Sequence, residues 1–235
     1  MTQQFLLVHG GQQGAWAYDL LIPEIRRLGH GALAVELPAG DPDAGAAEYS
    51  DVVERAMDDL GEHVVLVGHS LGGLTIPLVA ARRPVSRLIF VCAAYPEPGR
   101  SHMQVRNEEP EEAIGIGPSS AWQQAGDSHV LSPDAAREYF FHDCSPEIQE
   151  WAVSKMRPQS RKPLREITPL QSWPDTSRSL IVTTEDRCIP RESAVRTAQR
   201  LFGEAPIELP GGHCPMLSRP AMLARTLVDL TGAKK

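Results

Sequence analysis

Apolar residues fall along this chain in short unbroken runs, each stopped by glycine or proline. Phe5-Leu6-Leu7-Val8 runs into His9-Gly10-Gly11, residues 32–37 close at Pro38, and Val64 to Val67 run into Gly68. Residues 87–93, 179–183 and 206–209 repeat the pattern. Such runs predict strands buried on both faces. Between them apolar positions recur at helical spacing, predicting helices over 15–28 (ending at Gly29), 49–60, 71–82, about 192–201 and 220–230. Pro77 is the one blemish in the third of these. Alternating strands and helices predict a mostly parallel sheet flanked by helices, the α/β class.

The alternation breaks between Glu97 and Asp175. This block holds many prolines, three of the four tryptophans and amphipathic pieces at 135–142 and 148–156, with no convincing strand. It reads as a helical cap inserted after the fourth strand. The expected organisation is a core of residues 1–96 and 176–235 with the cap at 97–175.

The 235 residues suit one such domain, and 42% hydrophobic with 23% charged residues is the composition of an ordinary globule. A net charge of −7 without a basic run argues against a nucleic-acid partner. No leader pattern and no apolar stretch of membrane-spanning length stands out, so no membrane partner and a cytoplasmic location are expected. Four cysteines far apart, with no CxxC pair, suggest free thiols rather than a zinc site or disulfide framework.

Chemistry enters at Gly68-His69-Ser70-Leu71-Gly72, which fits G-x-S-x-G. On a tight turn between strand and helix, such a serine is presented as a nucleophile. Small residues are needed two positions to either side because strand and helix approach closely there. A serine hydroxyl needs a base. Of eight histidines, His213 in Pro210-Gly211-Gly212-His213-Cys214-Pro215 follows the last strand, and a loop there opens at the same end of the sheet as Ser70. The base needs a carboxylate. Asp186, in the loop after the fifth strand, is the choice. Glu185 is not excluded by spacing, and Glu97 is a weaker third. The order serine, acid, histidine is that of the nucleophile-elbow hydrolases. The backbone N–H groups of Leu71 and Gly11 are the expected oxyanion donors.

These residues resemble the α/β-hydrolase superfamily and, within it, the methylesterase and hydroxynitrile lyase family. The likeness runs through LVHGGQQGAWAYDLLIPEIRRLGH, VGHSLGG, CSPEIQEWAVSKMRP, TTEDRCIP and GGHCPMLSRP. It implies the α/β-hydrolase fold and favours Asp186 over Glu185 and Glu97. In that family the lyases carry threonine after the first-strand histidine and lysine after the catalytic one. Here those positions are Gly10 and Cys214, which disfavours cyanohydrin cleavage. Cys214 also differs from the methionine common in the esterases, and Gly212 replaces the aspartate that precedes the histidine there.

The expectation is a serine esterase, a carboxylesterase of methylesterase-like type, acting on a small-molecule ester through a catalytic triad with no metal or cofactor. The cap residues Trp122, Phe140, Phe141, Trp151 and Met156 are the expected substrate-binding set, suited to an apolar acyl group. Three alternatives stay open: a lactonase or thioesterase, a non-hydrolytic biosynthetic enzyme, and a ligand-binding protein with residual hydrolase activity. A homodimer through the cap or an edge helix also stays open.

Overall fold

The computed structural model describes residues 2–61, 63–108 and 119–232. In its first half β1 (Gln4–Val8), α1 (Leu21–Arg27), β2 (Gly31–Ala34), α2 (Ala46–Met57), β3 (Val64–His69), α3 (Ile76–Arg82) and β4 (Arg87–Val91) alternate. An inserted region follows, with α4 (His102–Glu108), β5 (Trp122–Ala125), β6 (Ser128–Leu131), α5 (Pro133–Tyr139), α6 (Pro146–Lys155), β7 (Gln159–Ser160) and α7 (Lys162–Arg165). The alternation then resumes with β8 (Arg178–Thr183), α8 (Arg191–Phe202), β9 (Ile207–Leu209), α9 (Pro215–Ser218) and α10 (Pro220–Leu230).

Six strands form one sheet in the order β2-β1-β3-β4-β8-β9, and every pairing within it is parallel. The unbroken apolar runs follow from this burial. Side chains alternate across a strand, and both faces are covered here. Phe5, Leu7, Val65 and Val67 enter one core with Leu21 and Ile25 of α1 and Leu223 and Leu227 of α10. Leu6, Val8, Val64 and Leu66 enter a second core with Tyr49 and Val53 of α2 and Ile76 and Val79 of α3. The chain leaves β1 toward β2 on one side and returns to β3 on the other. The loops after β1 and β3 therefore diverge and leave a crevice at the carboxyl ends of the strands.

The structure departs from the pattern-based expectation in four places, the first being the stretch expected as one helix over 15–28, which is a 3₁₀ turn (Ala15–Tyr18) followed by α1. The stretch expected as one helix over 71–82 is a 3₁₀ turn (Ser70–Leu74) followed by α3, with Pro77 in the first turn of α3. Proline costs nothing there, because the first-turn N–H has no intrahelical acceptor. The second strand ends at Ala34, and Leu37 N–H turns away to His9 Nε2 (3.2 Å). The insertion, expected without strands, contains the antiparallel sheet β5-β6-β7. Its β5–β6 hairpin turns through Gly126-Asp127, with Gly126 at φ +62°. Strands of four residues that mix polar and apolar positions leave little periodic signal. Residues 109–118 of the expected cap lie outside the described residues. Among those described, no helix is long and apolar enough to cross a membrane.

Candidate active site

Ser70 follows β3 directly and sits at φ +49°, a left-handed conformation that a side chain rarely adopts. Holding it there costs about 1–3 kcal/mol, which the surrounding packing must offset. The flanking glycines provide that packing. A Cβ built on Gly68 would lie 2.9 Å from the Gly72 carbonyl oxygen, and one on Gly72 would lie 2.5 Å from the Val8 carbonyl oxygen. Strand, turn and neighbouring strand thus touch backbone to backbone and hold the serine out at the crevice, where it lines a cavity of about 360 Å³.

The loops after β8 and β9 bring Asp186 and His213 together. Thr184 N–H donates to the Leu209 carbonyl and Glu185 N–H to the Gly211 carbonyl, both at 2.9 Å, so the two loops travel as a pair. Asp186 Oδ2 accepts from His213 Nδ1 at 2.8 Å. Asp186 Oδ1 accepts the N–H groups of Cys188 (2.7 Å) and Ile189 (2.9 Å). Burial alone would raise the carboxyl pKa. His213 and the two backbone donors outweigh burial and hold it below the ordinary carboxylate value. With Nδ1 occupied, His213 presents Nε2, which is buried and has no hydrogen-bond partner among the described residues. Phe140 stacks on the ring at 5.5 Å between centroids.

The other two acid candidates are occupied elsewhere. Glu185 is exposed and reaches this region only through its backbone, whose carbonyl accepts from His142 Nε2. Glu97 is held by Arg100 (2.9 Å) and Arg200 (2.6 Å).

Gly11 and Leu71 meet at the cavity beside Ser70. A Cβ on Gly11 would lie 3.6 Å from Leu71 Cδ2, an ordinary contact. Glycine at 11 is therefore not forced by crowding. Gly10 is, because a Cβ there would lie 2.9 Å from both His69 Nδ1 and Ser70 Cβ. As a first-turn residue Leu71 has no intrahelical acceptor for its N–H. The Gly11 N–H has no backbone acceptor among the described residues.

Of the five expected substrate-binding residues, Trp122 and Phe140 line the cavity. The other three do not line it. Phe141 is fully buried in the core, Trp151 packs edge-on against Trp16, and Met156 packs against that same core. All five are large apolar residues of the insertion, and only the packing decides which of them face the cavity.

Several polar residues without a role in the sequence-based expectation build the surroundings. His69 Nε2 donates to the His213 carbonyl at 2.8 Å and fixes the base loop from below. Burial, then the neighbouring His213, push the His69 pKa down to about 3. Gln12, at φ +65°, accepts from Leu131 N–H (2.6 Å) and donates its own N–H to Gln159 Oε1. Asp143 Oδ2 accepts the Gly212 N–H at 2.8 Å. A Cβ on Gly212 would lie 2.7 Å from Asp143 Oδ1, so this carboxylate fills the space that a side chain at 212 would take. Nothing along the chain marks these residues, because each acts by pairing a buried polar group with a segment distant in sequence.

Cys92, Asp186 and His213 offer ligand atoms within 4.8 Å of one another. Both Asp186 oxygens already accept hydrogen bonds, and burial raises the Cys92 thiol pKa well above its usual value. Cys188 and Cys214 are raised likewise by burial, so these three sulfurs favour the neutral thiol, the form unsuited to nucleophilic attack.

The profile of the alpha/beta hydrolase family matches residues 5–226. Polyneuridine aldehyde esterase of Rauvolfia serpentina is 28% identical, over 97% of this chain and 96% of that one. Methylesterase 1 of Arabidopsis thaliana is 28% identical over 94% and 93%. A crystal structure of polyneuridine aldehyde esterase superposes with a TM-score of 0.82 at 25% identity, covering 98% of this chain and all of the other.

Proposed function

The chain belongs to the alpha/beta hydrolase family, and from that premise we propose that it is a carboxylic-ester hydrolase working through Ser70, His213 and Asp186. The observations that carry this reading are a serine held in left-handed backbone at a cavity, and a histidine, stacked on the cavity-lining Phe140, whose Nδ1 is bound by a buried carboxylate and whose Nε2 has no partner among the described residues. No hydrogen bond joins Ser70 to His213 in the free protein. Such contacts commonly form only when substrate is bound.

In the proposed reaction, Ser70 Oγ attacks the ester carbonyl carbon while its proton passes to His213 Nε2. Asp186 stabilises the imidazolium and holds the tautomer. The N–H groups of Gly11 and Leu71 take up the charge on the carbonyl oxygen. The tetrahedral adduct collapses, the C–O bond breaks, and His213 returns the proton to the departing alcohol. Water then adds to the acyl-serine by the same route, releasing the acid and restoring Ser70 and His213. Residues 97–175 act as the cap in this reading, over the core of 1–96 and 176–235. Leu71, Trp122 and Phe140 supply apolar surface for the acyl group. The names of the relatives, an aldehyde esterase and a methylesterase, are consistent with a small ester as substrate.

The test is hydrolysis of p-nitrophenyl butyrate with fluorophosphonate labelling. The wild type should turn over the ester and carry the label on Ser70. Ser70→Ala should lose both, with turnover down by roughly 10⁴-fold or more. Retained turnover in Ser70→Ala would overturn the assignment.

A further inference from the structure

The cavity beside Ser70 carries charge of one sign. Arg106, Arg161 and Arg165 line it, together with His102 and His129, and no aspartate or glutamate among the described residues does. This runs against the whole chain, whose formal charge is −7. The cations converge from separate elements. Arg106 comes from α4, Arg165 from α7 and Arg161 from just before α7, and α4 packs against α7. Among the described residues, none of the three arginines has a carboxylate within ion-pair distance. Arg161 donates through Nε to His129 Nδ1 at 3.4 Å, which leaves its two Nη groups without a partner there. Two Nη groups in one plane are the fork that a planar carboxylate takes bidentately.

The two histidines strengthen this picture. Burial, then Arg161 and Arg165, push the His129 pKa down to about 4. Burial, then Arg106, do the same to His102 against the pull of Glu97. Both rings are therefore neutral at pH 7, and the positive charge in the cavity rests on the guanidinium groups. The remaining wall is apolar, with Met103, Trp122, Phe140 and Leu164. An apolar wall and a cationic cluster in one cavity match a ligand with a hydrocarbon body and an anionic end.

We infer that the substrate carries a carboxylate on its acyl portion. It is a half-ester of a small dicarboxylic acid, whose alkyl body lies against Trp122, Phe140 and Leu164 and whose free carboxylate is held by Arg106, Arg161 and Arg165. This rests on the hydrolase reading above and narrows it: the apolar acyl group expected from the sequence acquires a charged end.

The experiment compares monomethyl and dimethyl adipate as substrates of the wild type, Arg161→Met, Arg165→Met and Arg165→Glu. The readout is the half-ester to diester ratio of kcat/KM within each protein, which cancels any loss common to both esters. The wild type should favour the half-ester by about tenfold or more at low salt. The ratio should fall in both methionine variants and fall furthest in Arg165→Glu. Added salt should lower kcat/KM for the half-ester alone. A wild-type preference for the diester, or a ratio unchanged across the variants, overturns the inference. Binding of adipate itself, followed by calorimetry on wild type and variants, separates the two readings. Adipate bound by the wild type and lost in Arg161→Met, with neither ester hydrolysed and no label on Ser70, upholds the anion site and overturns the hydrolase reading. Labelling and p-nitrophenyl butyrate turnover without adipate binding overturns the anion site and leaves the hydrolase reading standing.

Discussion

At the scale of single residues, Asp186 divides its two oxygens between two tasks, and this separates function from stability. Oδ1 holds the backbone of its own loop through Cys188 and Ile189, and Oδ2 holds His213. Asp186→Asn can keep the first task while presenting an amide N–H₂ to His213 Nδ1, which selects the wrong tautomer. We expect kcat for ester hydrolysis to fall roughly 10⁴-fold with a small change in melting temperature. Turnover within tenfold of wild type would remove Asp186 from the role. Among these residues the turn that holds Ser70 was readable from the chain, because G-x-S-x-G meets steric conditions that the residues themselves encode. Gly68 and Gly72 are glycine because backbone atoms lie within 3 Å of where a Cβ would stand. The carboxylate that meets His213 was not readable to one residue. Glu185 and Asp186 are neighbours in sequence, and only the direction of each side chain, one into solvent and one into the interior, separates them.

At the scale of elements, the small sheet of the insertion is tied to the loop after β1, and Arg157 carries much of that tie. Its N–H donates to the Gln12 carbonyl (3.1 Å), its Nε to the Gln13 carbonyl (2.9 Å) and its Nη2 to the Leu37 carbonyl (3.0 Å), and it pairs with Glu36. Gly11 sits in the loop so held. Arg157→Met keeps the backbone bond and the apolar stem but removes the side-chain donors from two carbonyls. The expected cost is about 1–3 kcal/mol, read as a lower urea midpoint, together with a reduced kcat/KM as the Gly11 N–H loses its fixed position. An unchanged midpoint and unchanged kcat/KM would mean that this tie does not order the loop. The tie was invisible in the sequence. Arg157 is 144 residues from Gln13, and the β5–β7 strands that place it are too short and too mixed in polarity to give a period. The central strands were legible for the opposite reason: burial on both faces forces an unbroken apolar run.

At the scale of the whole molecule, buried histidines link stability to pH, and His9 and His69 are the most deeply buried of those held low. His9 is 1% exposed, with Nδ1 donating to the Gly10 carbonyl and Nε2 accepting from Leu37 N–H, and burial lowers its pKa from 6.5 to about 4. His69, equally buried, is lowered to about 3. Both bases are neutral when folded and take up a proton near pH 6.5 when unfolded. Their contribution is whole above pH 6.5 and is lost as pH falls toward 4, on the order of 3 kcal/mol for His9. Asp186, whose carboxyl is held low, adds a loss of the same sign at lower pH. The urea midpoint should therefore be flat from pH 7 to 8 and drop steeply between pH 6.5 and 4. A flat midpoint down to pH 5 would contradict this. On the same scale, the linear pattern by itself determined the mostly parallel sheet flanked by helices and the glycine-flanked turn at Ser70, because periodicity and steric necessity are local and written in neighbouring residues. Which carboxylate faces His213, which aromatic residues of the insertion face the cavity, and the gathering of Arg106, Arg161 and Arg165 around it were decided only by tertiary structure. Those properties depend on the direction of side chains brought together from distant segments, and no spacing along the chain encodes that direction.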